Sequence, residues 1–152
     1  MVCHTDMGLV DSHAHIQTKE FSADVAEIIQ RAAEAGVGKI VVVGGAGDLS
    51  SNDAALELAR SYPGLYATVG MHPHDARDVS ETDLQRLKEL SRDPKVVAVG
   101  ETGLDFYYNH SPRETQIGLF RRFIQMALET RLPLVVHNRE ADREVAGLLR
   151  DE

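Results

Sequence analysis

The sequence is poor in the residues that mark secreted or membrane proteins. It has one cysteine, no tryptophan and 5% aromatic residues, so an internal disulfide is excluded. It has no run of about 18 apolar residues, the usual length of a membrane-spanning helix. The first residues lack the basic and then apolar layout of a secretion signal, and Cys3 is the only thiol. These absences predict a cytoplasmic protein without a membrane partner.

Positive charge is also scarce. The 16 lysines and arginines stand against 24 acidic residues, which gives a formal net charge of −8. Proteins that coat nucleic acid or anionic membranes without sequence preference are usually basic, so neither class is favoured. A nuclease stays open, because bound metal ions can supply the positive charge at a phosphate. The 152 residues, 43% of them hydrophobic, are enough for the core of one domain.

Five short apolar runs alternate with helical periodicity along the chain. Several are nearly continuous in apolar residues, as in parallel strands that are buried on both faces. The predicted strands are Leu9–Ile16, Lys39–Val43, Leu65–Val69, Val96–Gly100 and Leu132–Val136. Five βα units in succession predict a parallel α/β fold.

The helices between these strands carry start signals. Ser80 and Asp83 have the spacing of a capping box at the start of the third helix. Ser111 before Pro112 predicts the N-cap of the fourth helix, because proline is favoured at the first helical position. The apolar face of that helix is expected to extend to Leu128.

Two architectures fit five βα units. A doubly wound open sheet would be complete with five strands. A (β/α)8 barrel takes about 250 residues, so the chain would hold its first five units. Polar residues follow strands one, three, four and five, and barrel active sites are assembled at these strand ends. Their position favours the incomplete (β/α)8 TIM barrel.

Four of these strand-end residues have the chemistry of a metal site. His13 and His15 are two apart on a strand, so their imidazoles point to the same side. Glu101 follows strand four and His137 follows strand five. Three imidazole nitrogens and a carboxylate suit zinc and also manganese or nickel. The two oxygens of Glu101 would allow it to bridge two ions roughly 3.5–4 Å apart.

Other polar residues near these strand ends have more than one interpretation. Asp11 shares the side of His13 and His15, and we expect it to orient an imidazole rather than to bind metal. His72 and His74 flank a proline, so a turn and a substrate contact are both open. The glycine cluster at residues 44–47 could hold a phosphate, but an ordinary βα turn is favoured.

Four motifs, taken in order, resemble the TatD family of metal-dependent hydrolases. They are Asp-Ser-His-Ala-His at 11–15, Gly-Met-His-Pro-His at 70–74, Gly-Glu-Thr-Gly-Leu-Asp-Phe-Tyr at 100–107 and Val-His-Asn-Arg-Glu-Ala at 136–141. Pro112, Arg113, Gln116 and Phe120 also match the helix that follows strand four in the family. The likeness extends over essentially the whole chain.

The resemblance implies a fold, an activity and a set of cofactors. The fold would be an amidohydrolase-type (β/α)8 barrel with one or two divalent ions (zinc, manganese, nickel or magnesium). The activity would be that of a TatD-type deoxyribonuclease, in which a metal-activated water cleaves DNA or another phosphodiester.

The resemblance also implies roles for individual residues. His13 and His15 would hold the first metal, Glu101 would bridge and act in catalysis, and His137 would hold the second metal. Three further residues match motif positions near the substrate; they are His72, Asp105 and Arg139.

Family barrels continue through three more βα units, which carry another histidine ligand and a late aspartate. We therefore expect residues 1–152 to be the N-terminal portion of the barrel, a single metal-dependent hydrolase domain that is truncated. Strands one and five would be open edges, which predicts a homo-oligomer that covers them. Two alternatives stay open. One is a non-catalytic metal-binding half-barrel that self-associates or needs a partner, and the other is an amidohydrolase-type hydrolase of C–N or ester bonds.

Overall fold

The computed structural model describes residues 8–152, and Cys3, which supported the predicted compartment, lies outside this range. Five parallel strands form one sheet in the order β1-β2-β3-β4-β5. Their bounds are β1 Leu9–Ala14, β2 Val37–Val43, β3 Leu65–Val69, β4 Val96–Asp105 and β5 Leu134–Arg139. The order follows the chain without reversal, whereas a doubly wound sheet reverses its strand order. The open-sheet alternative is therefore wrong, and the sheet is a half-barrel.

Each strand is followed by a helix. The α-helices are α1 Val25–Glu34, α2 Ser50–Ser61, α3 Glu81–Leu90, α4 Arg113–Thr130 and α5 Asp142–Asp151. Short 3-10 helices occupy Lys19–Phe21 and Pro73–Asp78. Within residues 8–152, no helix combines the length and apolar character needed to cross a bilayer. Crossovers between parallel strands are right-handed, and here each one leads to the next strand in the same direction. The helices therefore lie on one face of the sheet, and the opposite face is open at the ends of the strands.

The start signals of two helices had different outcomes. The capping box is confirmed: the Asp83 N–H donates to Ser80 Oγ, and the Ser80 N–H donates to Asp83 Oδ2 at 2.8 Å. The predicted cap at Ser111 is wrong, because Pro112 is the N-cap of α4 and has no side chain that could cap it. The Ser111 hydroxyl donates instead to the His74 carbonyl at 2.7 Å and accepts the Arg77 N–H. Ser111 thus joins the loop after β4 to the loop after β3.

The inward face of α4 ends sooner than predicted. Phe120 and Phe123 are fully buried and Ile124 is nearly so, but Leu128 is 57% exposed. Leu128 lies one residue beyond buried Ala127, about 100° further around the helix, and so points to solvent. The prediction for Leu128 is wrong.

The hydrophobic core lies between the sheet and the helices. One cluster packs Val42 and Val99 of the sheet against α2 and α4, and a second packs Leu104 and Phe120 against α5. β4 and β5 extend past their predicted ends, to Asp105 and Arg139. Both ends pair in register, with Gly103 opposite His137. Glu101, Asp105 and His137 therefore lie on paired strands rather than in loops.

Candidate metal centre

The three side-chain atoms at the end of β1 and in the middle of β4 form a compact triangle. His13 Nε2 lies 3.2 Å from His15 Nε2 and 3.3 Å from Glu101 Oε2, and His15 Nε2 lies 3.8 Å from the same oxygen. His15 Nδ1 lies 3.0 Å from the Val43 carbonyl, which can only accept a hydrogen bond. The proton of a neutral His15 is therefore on Nδ1, and Nε2 presents a lone pair to the triangle.

The triangle fits a divalent ion. Ligands at 2.0–2.1 Å in tetrahedral geometry are separated by about 3.3 Å, close to two of the three edges. With the proton of His13 on Nδ1, two imidazole lone pairs and a carboxylate oxygen would face one another, which is a donor set that suits a cation. A hydrogen bond from the ring N–H to a backbone carbonyl is also the usual way in which a metal-binding imidazole is oriented.

A second group of ligand atoms faces the other oxygen of Glu101. His137 Nδ1 lies 3.1 Å from Glu101 Oε1 and 3.0 Å from His72 Nε2. The ligand atoms of His72, Glu101 and His137 all lie within 4.8 Å of one another. One carboxylate thus presents one oxygen to each histidine group, which is the arrangement of a bridging ligand.

Hydrogen bonds distinguish His72 from His137. His137 Nε2 lies 3.1 Å from Asp105 Oδ2 and donates its proton there, so Nδ1 is left as the metal-facing lone pair. In His72, Nδ1 accepts the His74 backbone N–H at 3.3 Å. The proton of a neutral His72 is therefore on Nε2, and this ring presents a donor to the site rather than a ligand.

The charges of these groups are coupled. Burial opposes ionisation of Glu101, but its hydrogen bond with His137 and the nearby imidazoles hold its pKa below the ordinary value. When the His137 ring is protonated, Nδ1 also carries a proton and donates to Glu101, so this carboxylate raises the pKa of His137 against the effect of burial. Burial, with His137 nearby, lowers the pKa of His72 to about 4. His72 is therefore neutral near pH 7, in keeping with a single proton on Nε2.

Asp105 is completely buried, and its contacts are with the protein. Its Oδ2 accepts from His74 Nε2 at 2.7 Å and from His137 at 3.1 Å. Its Oδ1 accepts the backbone N–H groups of Tyr107 and Tyr108. Although burial opposes ionisation, these hydrogen bonds lower the pKa of Asp105 to about 2. These four hydrogen bonds fill its acceptor positions from within the protein, and they place the carboxylate where it can orient the His137 ring.

Within residues 8–152, no hydrogen bond or ion pair joins Asp11 to an imidazole. Its Oδ1 accepts the His13 backbone N–H at 3.1 Å, which shapes the end of β1 rather than a ring. Arg139 is exposed, and its guanidinium lies over the rings of Tyr107 and Tyr108. His72 is half-buried beside the second group of ligand atoms.

The glycine cluster is a turn that holds the site together. A Cβ on Gly45 would lie 2.4 Å from the Gly70 carbonyl oxygen, so only glycine fits. The Gly45 N–H donates to Ser51 Oγ and its carbonyl accepts the His72 N–H at 2.8 Å. The turn interpretation is confirmed for Gly45, because its N–H is already engaged and not available to a phosphate.

Two residues of the site were noticed in the sequence without the contacts that they make. His74, which was left between a turn and a substrate contact, binds Asp105. Gln116 is fully buried, and its side chain accepts the Asp105 N–H and donates to the carbonyls of Asp105 and Ser111. Only its place in the matching helix motif could have identified it, since one glutamine in a helix carries no periodic signal.

A cavity of about 520 Å³ opens over these groups, with His15, His72, His74, Glu101 and His110 in its lining. A cavity of about 600 Å³ lies elsewhere, at residues 8–10 and 33–39, away from the ligand-type side chains. The chemistry of the donor atoms therefore places the candidate site in the first cavity.

The chain is similar to known metal-dependent hydrolases and nucleases. Over 144 residues the chain is 42% identical to the uncharacterized metal-dependent hydrolase YabD of Bacillus subtilis, covering 95% of this chain and 56% of YabD. It is 37% identical over 143 residues to the 3'-5' ssDNA/RNA exonuclease TatD of Edwardsiella piscicida, covering 93% of this chain and 54% of that protein. The chain thus spans about half the length of the curated relatives it matches.

A solved structure shows the same fold. The crystal structure of YjjV, a TatD homolog from Escherichia coli, superposes with a TM-score of 0.87 at 35% identity. The superposition covers 94% of this chain and 55% of YjjV. A family model described as TatD related DNase matches residues 10–152. On the motifs, the metal-type donor groups and these matches together, the chain belongs to the TatD family of metal-dependent hydrolases.

Proposed function

We propose that the protein hydrolyses phosphodiester bonds as a TatD-type deoxyribonuclease that depends on divalent metal. The observation that carries this proposal is the position of Glu101 between two histidine groups, with one oxygen toward His13 and His15 and the other toward His137. Two ions held by one carboxylate suit the displacement at phosphorus, where charge develops on both the attacking and the leaving oxygen.

The residues would divide the work as follows. His13, His15 and Glu101 would hold one ion, and Glu101 and His137 the other. When bound, these ions supply a lowered pKa for water and positive charge at the phosphoryl oxygens. His72 would donate from Nε2 to a substrate oxygen, and Arg139 would donate to a phosphate from the rim.

Asp105 would act through His137 rather than on the substrate. Its carboxylate keeps the proton of that ring on Nε2 and so keeps Nδ1 free for the ion. Gln116 in turn holds the backbone of Asp105 through two hydrogen bonds of 2.8 and 3.1 Å.

The proposed substrate is DNA, with RNA as a related phosphodiester. The name of the Edwardsiella relative states activity on ssDNA and RNA. Because the chain has a formal net charge of −8, attraction for the strand would come from the bound ions and from Arg139. We also propose that the half-barrel corresponds to the first five units of a (β/α)8 barrel, because it superposes on 55% of the YjjV chain. The cytoplasmic location of the protein stays a prediction.

The test is the exchange Glu101→Gln, compared with Glu89→Gln at an exposed glutamate of α3. The purified proteins are loaded with Mn²⁺ or Zn²⁺, and bound metal is counted by plasma mass spectrometry. Hydrolysis is followed with a labelled single-stranded oligodeoxynucleotide. We expect Glu101→Gln to lose metal and hydrolysis together, while Glu89→Gln retains both. Full metal content and activity in Glu101→Gln would refute the bridging role.

The same preparation separates the two alternative functions. Hydrolysis of a lactone or an amide without hydrolysis of DNA would favour a C–N or ester hydrolase. Bound metal without hydrolysis of any of these substrates would favour the non-catalytic half-barrel.

A further inference from the structure

Two tyrosines and an arginine lie beside the metal centre with their side chains open to solvent. Tyr107 and Tyr108 lie in the loop after β4 and are 54% and 50% exposed. Arg139 ends β5, and its guanidinium carbon lies 4.3 and 4.5 Å from the centres of the two rings. Aromatic side chains contribute most when they are covered, so two of them left open together indicate a surface that contacts a ligand.

This surface is rigidly joined to the proposed ligands. Oδ1 of Asp105 accepts the backbone N–H groups of Tyr107 at 3.1 Å and Tyr108 at 2.9 Å, and Oδ2 holds His137. The His74 ring lies between them, 5.6 Å from the Tyr108 ring and 6.1 Å from the His137 ring, centre to centre. One buried carboxylate thus sets both the metal-facing imidazole and the aromatic loop.

The chemistry of the surface points to a nucleotide. Across residues 8–152, the Arg139 guanidinium makes no hydrogen bond or ion pair, so its N–H groups are available to an anion. Arg139 lies over one face of each tyrosine ring, and the Tyr108 ring also stacks on His110 with an angle of 10° between the planes. Tyr107, on the face away from Arg139, is therefore the more open ring. A flat aromatic face next to a free guanidinium matches a base joined to a phosphate.

We propose that Tyr107, Tyr108 and Arg139 form a subsite for one unpaired nucleotide next to the phosphodiester at the metal centre. The base stacks on Tyr107, and Arg139 binds its phosphate. A base inside a duplex is stacked on both faces and cannot enter, so the subsite selects single strands without reading their sequence. The proposal rests on the proposed function, since it takes the metal centre as the place where the strand is cut.

The test measures binding, so that it does not depend on turnover. Fluorescence anisotropy of Ca²⁺-loaded protein compares a labelled oligothymidylate with an abasic strand of equal length and charge. We expect the native protein to bind the strand with bases about tenfold or more tightly, the loss typical when one stacking ring is removed. We expect this preference to fall to near one in Tyr107→Leu, to persist in Tyr107→Phe and to persist or rise in Tyr107→Trp.

Two further variants complete the design. Tyr66→Leu, at a tyrosine of β3 far from this surface, should keep the native preference. Arg139→Ala should weaken both strands alike and reduce the salt dependence of binding, because the contact is to phosphate. If Tyr107→Leu fails to fold, the Tyr107→Phe and Tyr107→Trp results carry the test.

The outcomes distinguish this subsite from the proposed function. The subsite proposal is overturned if the native protein and Tyr107→Leu prefer the oligothymidylate over the abasic strand equally. It is also overturned if neither protein shows this preference. A preference that depends on Tyr107 in a protein that cuts no phosphodiester supports the subsite and overturns the proposed function. Equally tight binding of a blunt duplex would also overturn the subsite.

Discussion

The exchange Asp105→Asn changes one oxygen of the buried side chain that links His137 to the loop of Tyr107 and Tyr108. The asparagine carbonyl can still accept the N–H groups of the two tyrosines, so the loop is expected to keep its place. The new amide group takes the position of Oδ2, and it donates where a carboxylate accepts. His137 Nε2 must then accept, which moves the ring proton to Nδ1, the atom that faces Glu101 at 3.1 Å.

The size of the effect follows from this geometry. Removing the partner that orients a metal-binding imidazole typically lowers metal affinity 10- to 100-fold, or about 1.4–2.7 kcal/mol. The loss should be confined to the ion on the His137 side. The ion held by His13 and His15 should stay, because His15 is oriented separately by the Val43 carbonyl at 3.0 Å.

Isothermal titration of the metal-free protein with Zn²⁺ or Mn²⁺ measures this effect. We expect two metal-binding events in both proteins. In Asp105→Asn, one of the two should have a lower affinity than in the native protein. Asp78→Asn, at a side chain that is 75% exposed, is the matched control and should titrate like the native protein. Nitrogen-15 NMR of His137 reports which ring nitrogen carries the proton.

Two results would refute this reasoning. One is native affinity for both ions in Asp105→Asn. The other is a ring of His137 that still carries its proton on Nε2 in the variant. Circular dichroism of both variants checks that a loss of metal is not a loss of fold.

Three further predictions concern acid stability, packing and association. Folding lowers the pKa of Asp105 from 3.8 to about 2, so the ionised carboxylate stabilises the fold above about pH 4. This stabilisation is lost as the pH falls toward 2. Between pH 4 and pH 2, the free energy of unfolding of the metal-free native protein, measured in urea, should therefore fall by about 2 kcal/mol more than that of Asp105→Asn. Parallel plots of this free energy against pH would contradict the low pKa. Gln116→Leu leaves three buried backbone groups unpaired and should lower the free energy of unfolding by about 3 kcal/mol or more, against little change in exposed Gln85→Leu. Sedimentation velocity should show self-association through the β1 and β5 edges, and a monomer at every concentration would count against it.

The sheet was largely predictable because buried parallel strands have an unmistakable pattern. The run Ile40–Val43 and the bounds Leu65–Val69 were identified from apolar continuity alone. The ends of β4 and β5 were missed, since the residues Glu101–Gly103 and His137–Arg139 are polar or small and have the pattern of a loop. They are strand because each pairs with its neighbour, an interaction between residues more than thirty positions apart.

The residues that can bind metal could also be predicted from the sequence, but their arrangement around Glu101 could not. Alternation along a strand is enough to put His13 and His15 on one side, and the motif at 100–107 singles out Glu101. That the two oxygens of Glu101 face different histidines depends on how β1, β4 and β5 are arranged around it. The same holds for Asp105, which the motif placed near the substrate and the fold buried beneath His137.

By itself the sequence determined the order of the five βα units, the family and the side chains that can hold metal. These follow from local periodicity and from motifs in which all the information lies within a few residues. The tertiary structure alone decided which ring nitrogen carries the proton in His15, His72 and His137, which carboxylate is buried and which aromatic rings are open. Those properties depend on hydrogen bonds between distant strands and on exclusion of water, and neither exists until the strands lie side by side.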